Sequence, residues 1–198
     1  LDIEGDGDQD LFIVSGGNEF DTGSDELIDR IYINDGKGNF TKNLKCVPDY
    51  RISGSIVRVE DYDMDGDPDI FIGGRMVPGK YPLPASSKLL ENKDGVMVDM
   101  TSENSPELEG LGLVTDATWS DINGDLLVDL IIVGEWMPIT IFLQYPDGKF
   151  HRKRYSGLEK TEGWYYSIVA ADMDNDGDDD LIVGNLGLNY KYKATKDQ

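Results

Sequence analysis

One ten-residue phrase recurs four times and sets most of what this chain can become. At 61–70 it reads Asp61-Tyr62-Asp63-Met64-Asp65-Gly66-Asp67-Pro68-Asp69-Ile70, and at 172–181 it reads Asp172-Met173-Asp174-Asn175-Asp176-Gly177-Asp178-Asp179-Asp180-Leu181. The copy at 2–11 keeps Asp2, Asp6, Asp8 and Asp10 but places Glu4 third. The copy at 121–130 is looser, with Asp121, Asn123, Asp125, Leu127 and Asp129, and has Leu126 where the other three have Gly. An apolar run follows each copy, at 11–14, 70–72, 130–133 and 181–183.

Oxygen donors at positions 1, 3, 5 and 9 of a tight loop suit a hard divalent cation. Ca²⁺ takes about 6–8 oxygen ligands at roughly 2.3–2.6 Å, and a backbone carbonyl near position 7 commonly adds one. Gly at position 6 permits the bend, because it tolerates positive φ. No Cys or His lies in the phrases, which disfavours Zn or Cu. The plainer alternative is a solvated acidic turn, since Asp and Gly favour turns in any case. Four copies in one frame, each running into a strand and each crowding carboxylates together, favour the metal. The candidate ligand set is Asp2, Glu4, Asp6, Asp8 and Asp10; Asp61, Asp63, Asp65, Asp67 and Asp69; Asp121, Asn123, Asp125, Leu127 (through its carbonyl) and Asp129; and Asp172, Asp174, Asp176, Asp178 and Asp180. Up to four Ca²⁺ ions are expected, the third site being the weakest.

Two other calcium motifs do not fit. The EF-hand needs a bidentate Glu at position 12, where this chain has Ile13, Ile72, Ile132 and Val183. The short Gly-Gly-x-Gly period of calcium-binding β-helices is absent.

The phrases begin at residues 2, 61, 121 and 172. A period of this length, with several strand-like runs per repeat, predicts a β-propeller. The expected fold is all-β: an arc of three to four four-stranded antiparallel blades at about 1–50, 51–110, 111–160 and 161–198. Blade one is expected to lack its inner strand, with strands at 10–16, 30–34 and from 39. Blade two takes 55–60, 69–74, 88–92 and 96–100; blade three takes 115–121, 129–135, 140–144 and 149–155. Blade four takes 165–171 and 180–184, then 185–192. Prolines at 78, 82 and 84 make 77–84 a loop, because they lack amide donors. The second strands are apolar on both faces, as stacking between two neighbours requires. The chain opens inside a phrase, and the expectation is a piece of a longer protein that self-associates through incomplete terminal blades.

The net charge is −21, and nineteen of the 39 acidic residues lie within the four phrases. That field disfavours nucleic acid and anionic membrane surfaces. No apolar run reaches the roughly 20 residues needed to span a bilayer as a helix, so no membrane insertion is expected. Cys46 is the only cysteine and reads as a small buried apolar residue.

The repeated phrase resembles the FG-GAP/VCBS repeat family, whose calcium loops also occur in the integrin α-subunit propeller. The stretches at 15–19, 73–79, 133–138 and 184–189 are similar to the bacterial branch that carries an ASPIC/UnbV domain, to which cartilage acidic protein is related. The resemblance implies a calcium-stabilised binding propeller on a secreted or surface protein, at the cell surface, outside the cell or in the periplasm, with no settled enzymatic activity.

Trp119, Trp136 and Trp164, with Tyr165 and Tyr166, read either as packing between blades or as a sugar-stacking platform; packing is the expectation. His151 sits in an outer strand beside Arg152, Lys153 and Arg154, a basic run in an acidic chain that reads as a solvated face. One His and one Cys leave little catalytic inventory. The function expected is an interaction module for a protein or glycan ligand; the alternative is part of a propeller enzyme acting on glycans, since fold alone does not choose.

Overall fold

The computed structural model describes residues 1–187. The fold is an all-β partial propeller. The first sheet runs β1 (Leu11–Ile13), β2 (Arg30–Asn34), β3 (Phe40–Asn43). The second runs β4 (Gly54–Glu60), β5 (Asp69–Gly74), β6 (Lys88–Lys93), β7 (Val96–Asp99). The third contains β8 (Leu113–Ser120), β9 (Asp129–Met137), β10 (Thr140–Gln144) and β11 (Phe150–Lys153) in chain order. β12 (Gly163–Ala171) and β13 (Asp180–Asn185) form an antiparallel pair. The expected strand at 185–192 lies mostly outside the described residues.

The two-sided strands explain the stacking. On β5, Ile70 and Ile72 face the first sheet in a core with Phe12, Ile31 and Met97, while Phe71 turns to the third sheet. On β9, Leu130 and Ile132 join Phe71, Phe142 and Phe150, while Ile131 and Val133 pack on Tyr165 and Ile168 of β12. Residues of opposite parity along a strand point to opposite faces, so an unbroken apolar run supplies both cores.

Polar contacts fix the angle between sheets. Arg58 of β4 is ion-paired with the buried Asp116 of β8 and donates through Nε to the Ala117 carbonyl at 2.7 Å. The other Asp116 oxygen accepts from Ile168 N of β12 at 3.0 Å. One buried carboxylate thereby ties three successive sheets together.

The structure departs from the sequence reading in three places. β1 stops at Ile13 because Ser15 N donates to the buried Asp29 carboxylate rather than to a ladder partner, at 2.6 Å. A single helical turn, α1 (Thr101–Asn104), follows β7, where only a connection is expected. β9 runs on to Met137 and makes a short pairing with β12, Met137 to Gly163 and Glu135 to Trp164, so the last two sheets are joined. Cys46 is buried in the core between the first two sheets, as expected.

Candidate metal centre

Loop one precedes β1; loops two, three and four join β4 to β5, β8 to β9 and β12 to β13. All four share one internal scaffold. The position 1 carboxylate accepts from the backbone N–H groups of positions 5 and 6: Asp2 from Asp6 and Gly7, Asp61 from Asp65 and Gly66, Asp121 from Asp125 and Leu126, and Asp172 from Asp176 and Gly177, at 2.7–3.2 Å. The position 5 carboxylate accepts from the N–H of position 7 at 2.9–3.0 Å in every copy. These bonds curl the chain and point the acids inward.

The curl needs positive φ at positions 4 and 6. It is found at Gly5 and Gly7, Met64 and Gly66, Gly124 and Leu126, and Asn175 and Gly177. Position 4 carries the same demand as position 6, a point the spacing alone does not reveal. Leu126 adopts φ 70° and is 86% exposed, so Gly124 does not relieve it.

The side chains converge unequally. In loop two, carboxylate oxygens of Asp61, Asp63 and Asp65 lie within 4.8 Å of one another, and those of Asp172, Asp174 and Asp176 do likewise in loop four. In loop three, Asn123 Nδ2 donates to Asp125 Oδ2 at 3.0 Å, an arrangement in which the amide neutralises an acid instead of adding a charge. In loop one the longer Glu4 stands third, and Asp2, Glu4 and Asp6 do not form such a cluster. Burial first and the neighbouring carboxylates second push Glu4 above the ordinary carboxylate range. Asp63 is raised mainly by burial, with Asp65, Glu91 and Asp61 adding to it. The all-oxygen donor sets of loops two and four fit a hard divalent cation.

The position 9 residues do something further. Asp10, Asp69, Asp129 and Asp180 each accept from the N–H of position 2 through one oxygen, at 2.9–3.2 Å. In the first three, the second oxygen accepts from a backbone N–H near the end of the strand that follows: Asn34 of β2, Asn92 of β6 and Gln144 of β10, each at 2.8 Å. Asp69 and Asp129 are fully buried, and burial raises both, Asp69 to about 7. Position 9 therefore clamps the loop to its own sheet. Position 7 (Asp8, Asp67, Leu127 and Asp178) lies at the loop's exit; it is less buried than position 9 in the first three copies, and in the fourth both are exposed.

Asn92 and Gln144 have a second task that the sequence reading missed. Asn92 Nδ2 donates to the Ile3 carbonyl of loop one at 2.9 Å, and Gln144 Nε2 donates to the Tyr62 carbonyl of loop two at 2.7 Å. Each carbonyl belongs to position 2 of the preceding sheet's loop. The available signal was an Asn or Gln shortly before each Asp-Gly hairpin turn, at 34, 92 and 144.

A family model described as the FG-GAP-like repeat matches residues 2–72 and 121–183, more than half of the chain. The chain belongs to that family. No curated protein matches it.

Proposed function

We propose that this member of the FG-GAP-like repeat family is a calcium-binding propeller module of a secreted or surface protein that presents its loops to a protein or glycan partner. The observation that carries the calcium reading is the convergence of three carboxylates in loop two and three in loop four, on a backbone already curled to receive a cation. A bound ion offsets repulsion between these acids and secures the turns that join β4 to β5 and β12 to β13. Loops two and four rank first, loop one next and loop three last, because loop three carries Asn123 in place of an acid. The absence of a Glu at position 12 fits affinity near the 10⁻⁴–10⁻³ M range of extracellular modules. Among the described residues no helix is long and apolar enough to cross a membrane.

Thermal melts test this. A ligand at 100 Kd that binds only the native state stabilises it by about 2.7 kcal/mol. EDTA is expected to lower Tm and Ca²⁺ to restore it. Asp65→Ala or Asp176→Ala should remove more of the calcium response than Asp125→Ala. A melt indifferent to calcium, or a sub-micromolar Kd by calorimetry, refutes the proposal.

A further inference from the structure

The rim opposite the acidic loops carries a different chemistry. β4 and β5 are antiparallel, as are β8 and β9. The segments leaving β5 and β9 therefore lie at the other end of the sheets from loops two and three.

At that end, Trp136 occupies a β-bulge. Met137 and Glu135 of β9 pair with the consecutive residues Gly163 and Trp164, which leaves Trp136 without a ladder partner. Its φ is 59°, a left-handed conformation costly for any side chain, and the residue is 46% exposed. A bulge re-aims a side chain, and strain held at an exposed residue is a pointer to function. The indole is also fixed in place. Its Nε1 donates to the Tyr81 hydroxyl at 2.8 Å, Tyr81 donates to Glu135 Oε2 at 3.3 Å, and buried Glu135 is ion-paired with Arg75. The Trp164 ring lies 5.0 Å from that of Trp136, and Tyr166 stacks on Trp164 at 6.4 Å. Of the three tryptophans, Trp119 packs in the core against Tyr62 and Phe150 as expected, while Trp136 does not.

Two residues beyond Trp136 begins a groove of about 230 Å³. Pro138, Ile139, Tyr155 and Leu158 supply apolar surface, and Arg152, Lys153 and Arg154 line it as exposed cations. Among the described residues none of these three makes an ion pair. Glu159 is the one acid in the lining; its Oε2 accepts from Gly157 N at 2.8 Å, and the Arg154 charge also acts on it, leaving Arg152 and Lys153 as the freer cations. Ile139 N donates to Thr161 Oγ1 at 3.1 Å, which ties the groove to the segment entering Trp164.

The geometry points to a binding site for an acidic oligosaccharide on this rim. Sugar ring faces would stack on Trp136, and a uronate carboxylate would pair with Arg152 or Lys153 in the groove. The ligand is short and carries isolated charges, because a long polyanion meets the −21 field of the rest of the chain. This deepens the reading of the chain as an interaction module, and it does not depend on calcium.

Calorimetric titration with a hexasaccharide of alternating glucuronate and N-acetylglucosamine, in calcium buffer, tests it. Saturable binding is expected, with the neutral N-acetylglucosamine hexamer weaker by about tenfold. Trp136→Gly removes the ring while suiting the backbone, so binding should fall about tenfold in a variant that still melts cooperatively. Arg152→Ala and Lys153→Ala should each weaken the acidic sugar and leave the neutral one unchanged. Equal affinity for both sugars, no saturation at millimolar sugar, unaltered binding in Trp136→Gly, or tighter competition by a Glu-rich peptide each overturns the site. If calcium leaves Tm unchanged while the sugar still binds, only the calcium reading falls; if calcium raises Tm and no sugar binds, only this one does.

Discussion

Leu126→Gly should stabilise the protein although it deletes a large apolar side chain. Leu126 holds φ 70° and is 86% exposed, so the substitution surrenders almost no burial. A left-handed non-Gly residue costs roughly 1–2 kcal/mol, and Gly returns about 0.5–1 kcal/mol of that through the greater freedom of its unfolded chain. The net gain lies between about 0 and 1.5 kcal/mol, centred on about 0.7 kcal/mol. For a chain of this size that amounts to roughly 2–4 °C in Tm per kcal/mol. The bond that closes the turn is kept, because Leu126 N donates to Asp121 Oδ2 at 2.7 Å through the backbone. Thermal and urea melts of the variant and the wild type, each in EDTA and in calcium, measure it. The loop is already curled by its own hydrogen bonds, so the gain should be the same in both buffers. Gly66→Ala, at φ 99°, is the mirror experiment and should destabilise. A Leu126→Gly variant less stable than wild type refutes the strain argument, and a gain confined to calcium refutes a preformed loop.

Two further outcomes follow from buried and exposed groups elsewhere. Asp29 is fully buried, accepts from Ser15 N and the Tyr50 hydroxyl, and is pushed by burial from 3.8 to about 6. Between those values the folded chain keeps a proton that the unfolded chain has lost, so stability falls as pH rises through that window. Asp29→Asn can accept from Ser15 N and donate to the Tyr50 oxygen; it should match wild type near pH 4 and exceed it at pH 8 by up to about 3 kcal/mol, and parallel pH profiles in urea melts would contradict this. Tyr166, Val169 and Ile182 on β12 and β13 are 50%, 55% and 48% exposed, and we propose that this apolar surface drives self-association; light scattering should show mass rising with concentration, and a clean monomer at high micromolar protein would count against it.

The sequence by itself determined the local chemistry. Alternating acids in the phrase can meet only in a tight loop, and the apolar runs after them can only be strands covered on both faces. Strands such as Asp69–Gly74 and Thr140–Gln144 are legible because a short unbroken apolar run bounded by turn residues is a local property. Leu126 was readable as the odd residue for the same reason. Tertiary structure decided what depends on residues far apart in the chain. Position 9 reads as one more ligand, and only the fold adds that Asp69 also accepts from Tyr62 N and from Asn92 N, the latter 23 residues away. Gln144 reaches the Tyr62 carbonyl across 82 residues, which only the packing of one sheet on the next makes possible. Trp119 and Trp136 look alike in the sequence. One packs, partly buried, against the core between sheets and the other is turned outward by a bulge, because a pairing register with β12 is set by the fold and not by the residues around the indole.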